Sequence, residues 1–243
     1  MVNVFKAELM KAKKSRIFIV SALIVLLVPI FIVLKDLFLT RPPEHFMDWM
    51  KNGLMLNGIV LPIMSGFIIT FLIQREYQDY TIINVLTAPV SKQAFITSKL
   101  FIWFLWYAIV LFAVETINIF GYFLIYRSAF ELDGIKLFIE CFTKSGLLSF
   151  VASLPLLWIA VKQRKMFYPT IILALGFTVI QLAGVNTSME MIPFASAVPW
   201  SAVSIVSISE VQAQYKVICM ASILISGVLG LLLSCFTFNR QDQ

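Results

Sequence analysis

Few side chains in this sequence can carry chemistry, and those that can are set in apolar surroundings. Glu115 stands near the middle of the run LFIWFLWYAIVLFAVETINIFGYFLI, where an ionised carboxylate in lipid costs about 2.5–3.5 kcal/mol even on the mildest insertion scale. Such a group has to face protein or water. It reads as part of a translocation path or of a helix–helix lock with Asn118 one turn further on, or else as a protonated Glu bonded to a neighbouring helix. Asn57 and Gln181 are amides in two other apolar runs and are candidates of the same kind. There is no HExxH, no G-x-S-x-G and no pair of embedded aspartates, so the usual intramembrane hydrolases find no counterpart here. His45, the single histidine, lies beside Glu44 and Asp48, short of the three or four donors that a metal site generally needs. The phosphate loop G-x-x-x-x-G-K-[ST] is missing and no Gly-Lys pair occurs, so the chain has no means of hydrolysing ATP by itself. Cys141, Cys219 and Cys235 are scattered without a C-x-x-C and read as small buried hydrophobes.

The elements that must position these groups follow from composition. Of 243 residues, 60% are hydrophobic and 13% charged, against roughly 45–50% and 25% in a soluble domain. Six runs are long and apolar enough to cross a bilayer, at 17–34, 54–73, 100–125, 141–161, 167–184 and 217–238. Lipid offers no hydrogen-bond partners, so each must be a helix, and the loops left over are too short for a separate catalytic domain. Lys144 falls near the start of the fourth run and is expected to snorkel outward. The basic start Lys11, Lys13, Lys14 and Arg16 resembles that of a signal peptide, but the run after it is long and lacks an A-x-A site, so a retained helix is expected. With the N-terminus inside, the inner segments 1–16, 74–99, 162–166 and 239–243 hold twelve Lys and Arg against four acids, and the outer side holds six against eight, or seven against eight with Lys144 of the fourth run. The positive-inside rule then puts both termini in the cytoplasm. The net charge of +6 forms no long basic run interleaved with aromatics, which excludes a nucleic-acid groove.

Three segments depart from plain spans. Residues 1–16 place Val4, Phe5, Leu9 and Met10 among Lys6, Lys11, Lys13 and Lys14, suited to an interfacial helix on an anionic leaflet, with a flexible basic tail as the plainer alternative. Residues 74–99 put Tyr80, Ile83 and Leu86 at helical spacing before Ala88-Pro89 ends the turn, and Ser91 can cap the helix that follows. The apolar side of that short helix needs either a protein surface or the lipid headgroups. Residues 185–216 are too apolar for a solvated connection and are broken by Pro193 and Pro199, which reads as short helices re-entering the outer leaflet with Trp200 at the interface, or as an amphipathic surface helix. The last span carries Ser222, Ser226, Gly230 and Ser234 at every fourth position, a stripe for close helix packing within one subunit or between two.

Glu76, Thr81, Leu86, Pro89, Val90, Ser91 and Lys92, with Lys99 leading into an aromatic span, resemble the first cytoplasmic loop of ABC type-2 transporter permeases of the bacitracin and lantibiotic resistance type. Phe5, Glu8, Leu9 and Lys11 are similar to the same family's N-terminal interfacial helix, and the order of spans and loops matches along the whole chain. One departure is Tyr80, where a small residue commonly precedes the threonine. The resemblance implies an all-α membrane protein, a single permease domain over 1–243, with six transmembrane helices, an interfacial helix at 1–16, a cytoplasmic coupling helix in 74–99 and a re-entrant outer element in 185–216. It implies no directly bound cofactor, with ATP and Mg held by a partner ABC ATPase present in two copies, and a second permease chain, alike or different. Glu76, Tyr80, Thr81, Ile83, Leu86 and Pro89 would then couple to the ATPase, while Asn57, Glu115, Asn118 and Gln181 would line the path, which in the family runs mainly along the second and fifth spans. The cargo implied is an amphipathic peptide or a lipid-like antibiotic. Two other readings remain open: a six-helix secondary transporter or channel driven by an ion gradient through Glu115, and a non-transporting membrane scaffold.

Overall fold

The computed structural model describes residues 2–38, 46–79, 92–126, 132–163, 166–185, 187–208 and 211–240. His45 and the loop residues Tyr80, Thr81, Ile83, Leu86, Pro89 and Ser91 lie outside them. Among the described residues all regular structure is helical, and six helical stretches are long and apolar enough to cross a membrane.

The chain opens with α1 (Val2–Lys14), bends at Ser15, and enters α2 (Arg16–Phe38), the first span. The second and third spans, α3 (Phe46–Gln78) and α4 (Lys92–Ile125), have 33 and 34 residues, about 50 Å at 1.5 Å per residue. That exceeds the ~30 Å of a hydrocarbon core, so both carry charged residues well past their apolar windows. The run expected at 54–73 is thus the middle of a longer helix, and the one at 100–125 is the later part of another. All three spans pack against one another. Trp106 Nε1 of α4 donates to the Phe18 carbonyl of α2 at 3.0 Å, and Trp103 Nε1 donates to Ser65 Oγ of α3 at 2.9 Å. At the end remote from the termini, Trp49 Nε1 donates to the buried Asp36 carboxylate at 3.1 Å inside a cluster of Phe46, Tyr122, Tyr126 and Phe138. Aromatic groups with one polar end suit the membrane–water boundary.

The fourth span is two helices rather than the single run expected at 141–161. Helix α5 (Leu132–Ser153) stops at Leu154, and α6 (Pro155–Gln163) restarts the climb. Proline lacks the N–H of the helical ladder and its ring clashes with the carbonyl four residues back; the Leu154 N–H instead turns to the Val151 carbonyl at 3.2 Å. Lys144 does not simply reach outward. Its ammonium donates to the Val206 carbonyl at 3.2 Å, in the last turn of a later helix, where exposed carbonyls favour a cation.

That later helix belongs to the segment between the fifth span, α7 (Tyr168–Val185), and the sixth, α10 (Ala213–Asn239). After a 3₁₀ turn at Met189–Met191 come α8 (Ile192–Ala197) and α9 (Pro199–Ile208). Residues 201–207 of α9 are all buried, and the helix packs among α5, α7 and α10. Gly184 lets it approach: a Cβ there would lie 2.6 Å from the Ser201 carbonyl oxygen. Of the small-residue stripe on α10, Gly230 and Ser234 are buried within the chain while Ser222 and Ser226 stay partly open.

Candidate functional site

The strongest polar construction lies at the end of the bundle that holds both termini. Glu8 is placed by α1, Glu76 by the last turns of α3 and Lys99 by the second turn of α4, and all three are buried, at 5%, 1% and 1% exposure. The Lys99 ammonium donates to Glu8 Oε2 at 2.5 Å and to Glu76 Oε1 at 2.7 Å. Lys11, half-exposed, donates to Glu76 Oε1 at 3.0 Å and to Glu8 Oε1 at 3.2 Å. Two ammonium groups against two carboxylates leave the knot neutral, and each carboxylate takes hydrogen bonds from both lysines. That is the condition under which burial of charge is tolerated. For Lys11 the partial burial opposes the charge, but the Glu76 and Glu8 carboxylates outweigh it and hold the ammonium above the usual lysine range. Lys99 also lies 5.1 Å from the centre of the Phe95 ring.

Glu76 and Lys99 flank the 80–91 segment, one on each arm, and other contacts fasten the same arms. Gln74 Nε2 donates to the Met166 carbonyl between the fourth and fifth spans. Lys92 Nζ donates to the Asn239 carbonyl at 3.2 Å, and Phe95 stacks on Phe238 at 5.2 Å, which ties the start of α4 to the end of α10. Of the sequence-derived coupling residues, Glu76 is therefore at the centre of the knot, and the other five fall outside the described residues.

The lysine partner of Glu76 was accessible to pattern reasoning but is easily missed. Phe95, Lys99, Ile102, Trp103 and Trp106 share one face of α4, and every neighbour of Lys99 on that face is buried. A lone charge on a buried face demands an opposite one, and Glu76 follows Ile69, Leu72 and Ile73 on the matching face of α3. Glu8, spaced three residues from Lys11, supplies the second carboxylate.

The four intramembrane candidates fall into two places. Asn57 and Gln181 line one small pocket with Gly58, Tyr107, Ser145 and Ser149, of about 20 Å³, room for about one water molecule. Ser149 Oγ donates to Gln181 Oε1 at 3.2 Å, and Tyr107 Oη donates to the Gly146 carbonyl at 2.9 Å. Glu115 and Asn118 do not line it. Glu115 accepts from Thr143 Oγ1 of α5 at 2.9 Å, and Asn118 Nδ2 donates to the Val114 carbonyl of its own helix at 2.9 Å. The interhelical bond here is therefore Glu115–Thr143. The Oδ1 atoms of Asn57 and Asn118 are buried with no hydrogen-bond partner among the described residues. Thr143→Val leaves Glu115 without its donor and is expected to lower stability by about 0.6–1.7 kcal/mol, the range for such bonds inside membranes, read as a lower midpoint in thermal unfolding of the detergent-solubilised chain.

Six helical stretches long and apolar enough to cross a membrane, two of them (α3 and α4) tied to α1 by an ionic knot at one end, define a multi-pass membrane protein. A family model, ABC-2 family transporter protein, matches residues 4–181, and the chain belongs to that family as an ABC transporter membrane subunit. It is similar to the bacitracin transport permease protein BCRB of Bacillus licheniformis, 28% identical over 210 residues that cover 83% of this chain and 93% of that protein. Permease subunits of this family carry no ATPase site of their own, in keeping with the missing phosphate loop.

Proposed function

We propose that the chain is the permease subunit of an ATP-driven exporter in the cell membrane, with both termini cytoplasmic, that expels an amphipathic peptide or lipid-like antibiotic. Two ABC ATPase subunits would hold ATP and Mg, and a second permease chain, alike or different, would complete the pair. The observation that carries this reading is the Glu8–Lys11–Glu76–Lys99 knot. Because both arms of the 80–91 segment are fastened to α1, to α10 and to the turn before α7, a push on that segment is delivered to several spans at once. Tyr80, Thr81, Ile83, Leu86 and Pro89 would form the coupling surface, with the apolar side of Ile83 and Leu86 desolvated in the ATPase. Asn57, Glu115, Asn118 and Gln181 would belong to the polar core of the path. The pocket beside Asn57 holds only about one water molecule, so a peptide would pass in an opened state or between two chains. The similarity to a bacitracin transport permease supports the cargo class.

Co-purification from the native membrane tests the assembly. An ATPase subunit is expected with the wild-type chain, and Ile83→Asp or Leu86→Asp is expected to reduce its recovery by about tenfold or more, equivalent to about 1.4 kcal/mol, while the chain still inserts. Normal recovery with either variant would refute the coupling assignment. Transport into vesicles in the absence of nucleotide would favour the gradient-driven alternative instead.

A further inference from the structure

An open apolar groove runs between α2 and α3 at the same end of the bundle as the ionic knot. It is lined by Arg16, Ile17, Val20, Ser21 and Ile24 of α2 with Met64 and Phe67 of α3, and has a volume of about 310 Å³. Ser21 does not make the wall polar, since its hydroxyl turns back to the Ile17 and Phe18 carbonyls. From Arg16 to Ile24 the groove follows about 12 Å of helix, close to the ~15 Å depth of one leaflet's hydrocarbon. Its apolar length therefore matches an acyl chain lying along the bilayer normal.

The mouth is cationic. Arg16, Lys13 and Lys14 are exposed at the bend between α1 and α2, and none has a carboxylate partner among the described residues. The nearby acids are already engaged: Glu8 and Glu76 by Lys11 and Lys99, and Asp79 by Arg75 at 3.4 Å. Arg16 on the rim of an apolar slot, with the exposed Lys13 and Lys14 three and two residues before it at the bend, presents the charge and shape complement of one phospholipid with a net negative headgroup. A second copy of this chain is a poorer occupant, because a two-fold interface through the groove would bring the two basic corners together. A zwitterionic lipid offers the same phosphate but adds an ammonium group facing Lys13 and Lys14.

We infer that the α2–α3 groove is a binding site for a single anionic phospholipid of the adjoining leaflet, its phosphate held by Arg16 and the Lys13–Lys14 corner and one acyl chain lying along Val20, Ile24, Met64 and Phe67. The site is independent of the transport reading, and loss of ATPase co-purification would leave it untouched. Its consequence is that lipid composition acts on the junction between α1 and the bundle, within a turn of the knot.

The test uses the full-length chain purified with equal amounts of phosphatidylglycerol and phosphatidylcholine, with retained lipid counted by native mass spectrometry. One phosphatidylglycerol per chain is expected, retained in preference to phosphatidylcholine. Arg16→Gln is expected to cut that retention about fivefold, the worth of one basic residue near an anionic surface. Val20→Trp, at an exposed lining position, fills the groove without changing charge and is expected to abolish retention. Circular dichroism on both variants confirms the helical fold, and because both sites are exposed, folding is expected to be unchanged. Equal retention of the two lipids by the wild type, or undiminished phosphatidylglycerol in Val20→Trp, would overturn the assignment. So would a Val20→Trp chain that loses a dimer yet keeps its lipid, which would make the groove a contact between copies.

Discussion

Lys99→Met is expected to destabilise the protein by about 3–5 kcal/mol, the cost of removing one partner from a buried ion pair. Methionine fills much of the lysine stem's volume, so packing changes little and the effect isolates charge. Without the Lys99 ammonium, Glu8 and Glu76 lose the buried cation between them and keep Lys11, which is half-exposed and already bonded to both. Two buried carboxylates then lie close together with their most deeply buried counter-charge gone. A second substitution distinguishes this account from generic damage. Glu76→Gln in the Lys99→Met background removes one of the stranded charges, so the double variant should be more stable than the sum of the two single losses predicts. Thermal unfolding of the four members of that cycle gives the coupling directly. Additive losses would mean that Lys99 matters only for packing. If the knot also transmits force from the 80–91 segment, the double variant should recover folding without recovering nucleotide-dependent transport.

Gly230→Ala is expected to cost about 1–3 kcal/mol as an overpacked contact, although alanine is the better helix former by about 1 kcal/mol. A Cβ at Gly230 would sit 2.6 Å from the Pro155 nitrogen and 2.8 Å from the Leu154 carbonyl carbon. Those are backbone atoms at the break between α5 and α6, so relief requires moving α10 as a whole. Two other glycines bracket the result. At Gly146 the added Cβ would lie 2.5 Å from Leu111 Cδ1, the far end of a side chain with two rotatable bonds, so Gly146→Ala should be milder. At Gly176 no atom lies within 4 Å, and Gly176→Ala should be neutral or stabilising. The order Gly176, Gly146, Gly230 in a thermal-unfolding series checks the packing at the break. A stabilising Gly230→Ala would contradict it.

Most of the architecture was readable because hydropathy reports the membrane directly. Four of the six apolar runs lie inside single membrane-length helices, the fifth begins one residue before α7, and the fourth crosses the break at Leu154; elsewhere only ends were misjudged, since α3 and the start of α4 extend past the lipid on polar residues that a hydropathy window discards. The break in the fourth span was visible as Pro155, but apart from Ser153 its near neighbours are apolar, and no glycine or Asn/Asp marks a turn there. The polar core was legible as residue types and not as partners. Glu115 was marked as needing company, either with Asn118 or on a neighbouring helix, and the bond formed is of the second kind, across to Thr143, a partner that the sequence did not name. Pairings between helices depend on rotation about helix axes, which periodicity within one helix cannot supply. Lys144 shows the same limit: its need for polar company was evident, but the Val206 carbonyl 62 residues away was not.

The knot also constrains biogenesis. Glu8 and Lys99 are 91 residues apart in the chain, so at about 5–20 residues per second of synthesis the first carboxylate waits roughly 5–20 s for its ammonium. During that interval Glu8 has only Lys11 from its own helix. The amino-terminal segment therefore cannot reach its final seat until the start of the third span has left the ribosome, so the first residues made settle later than the two spans that follow them.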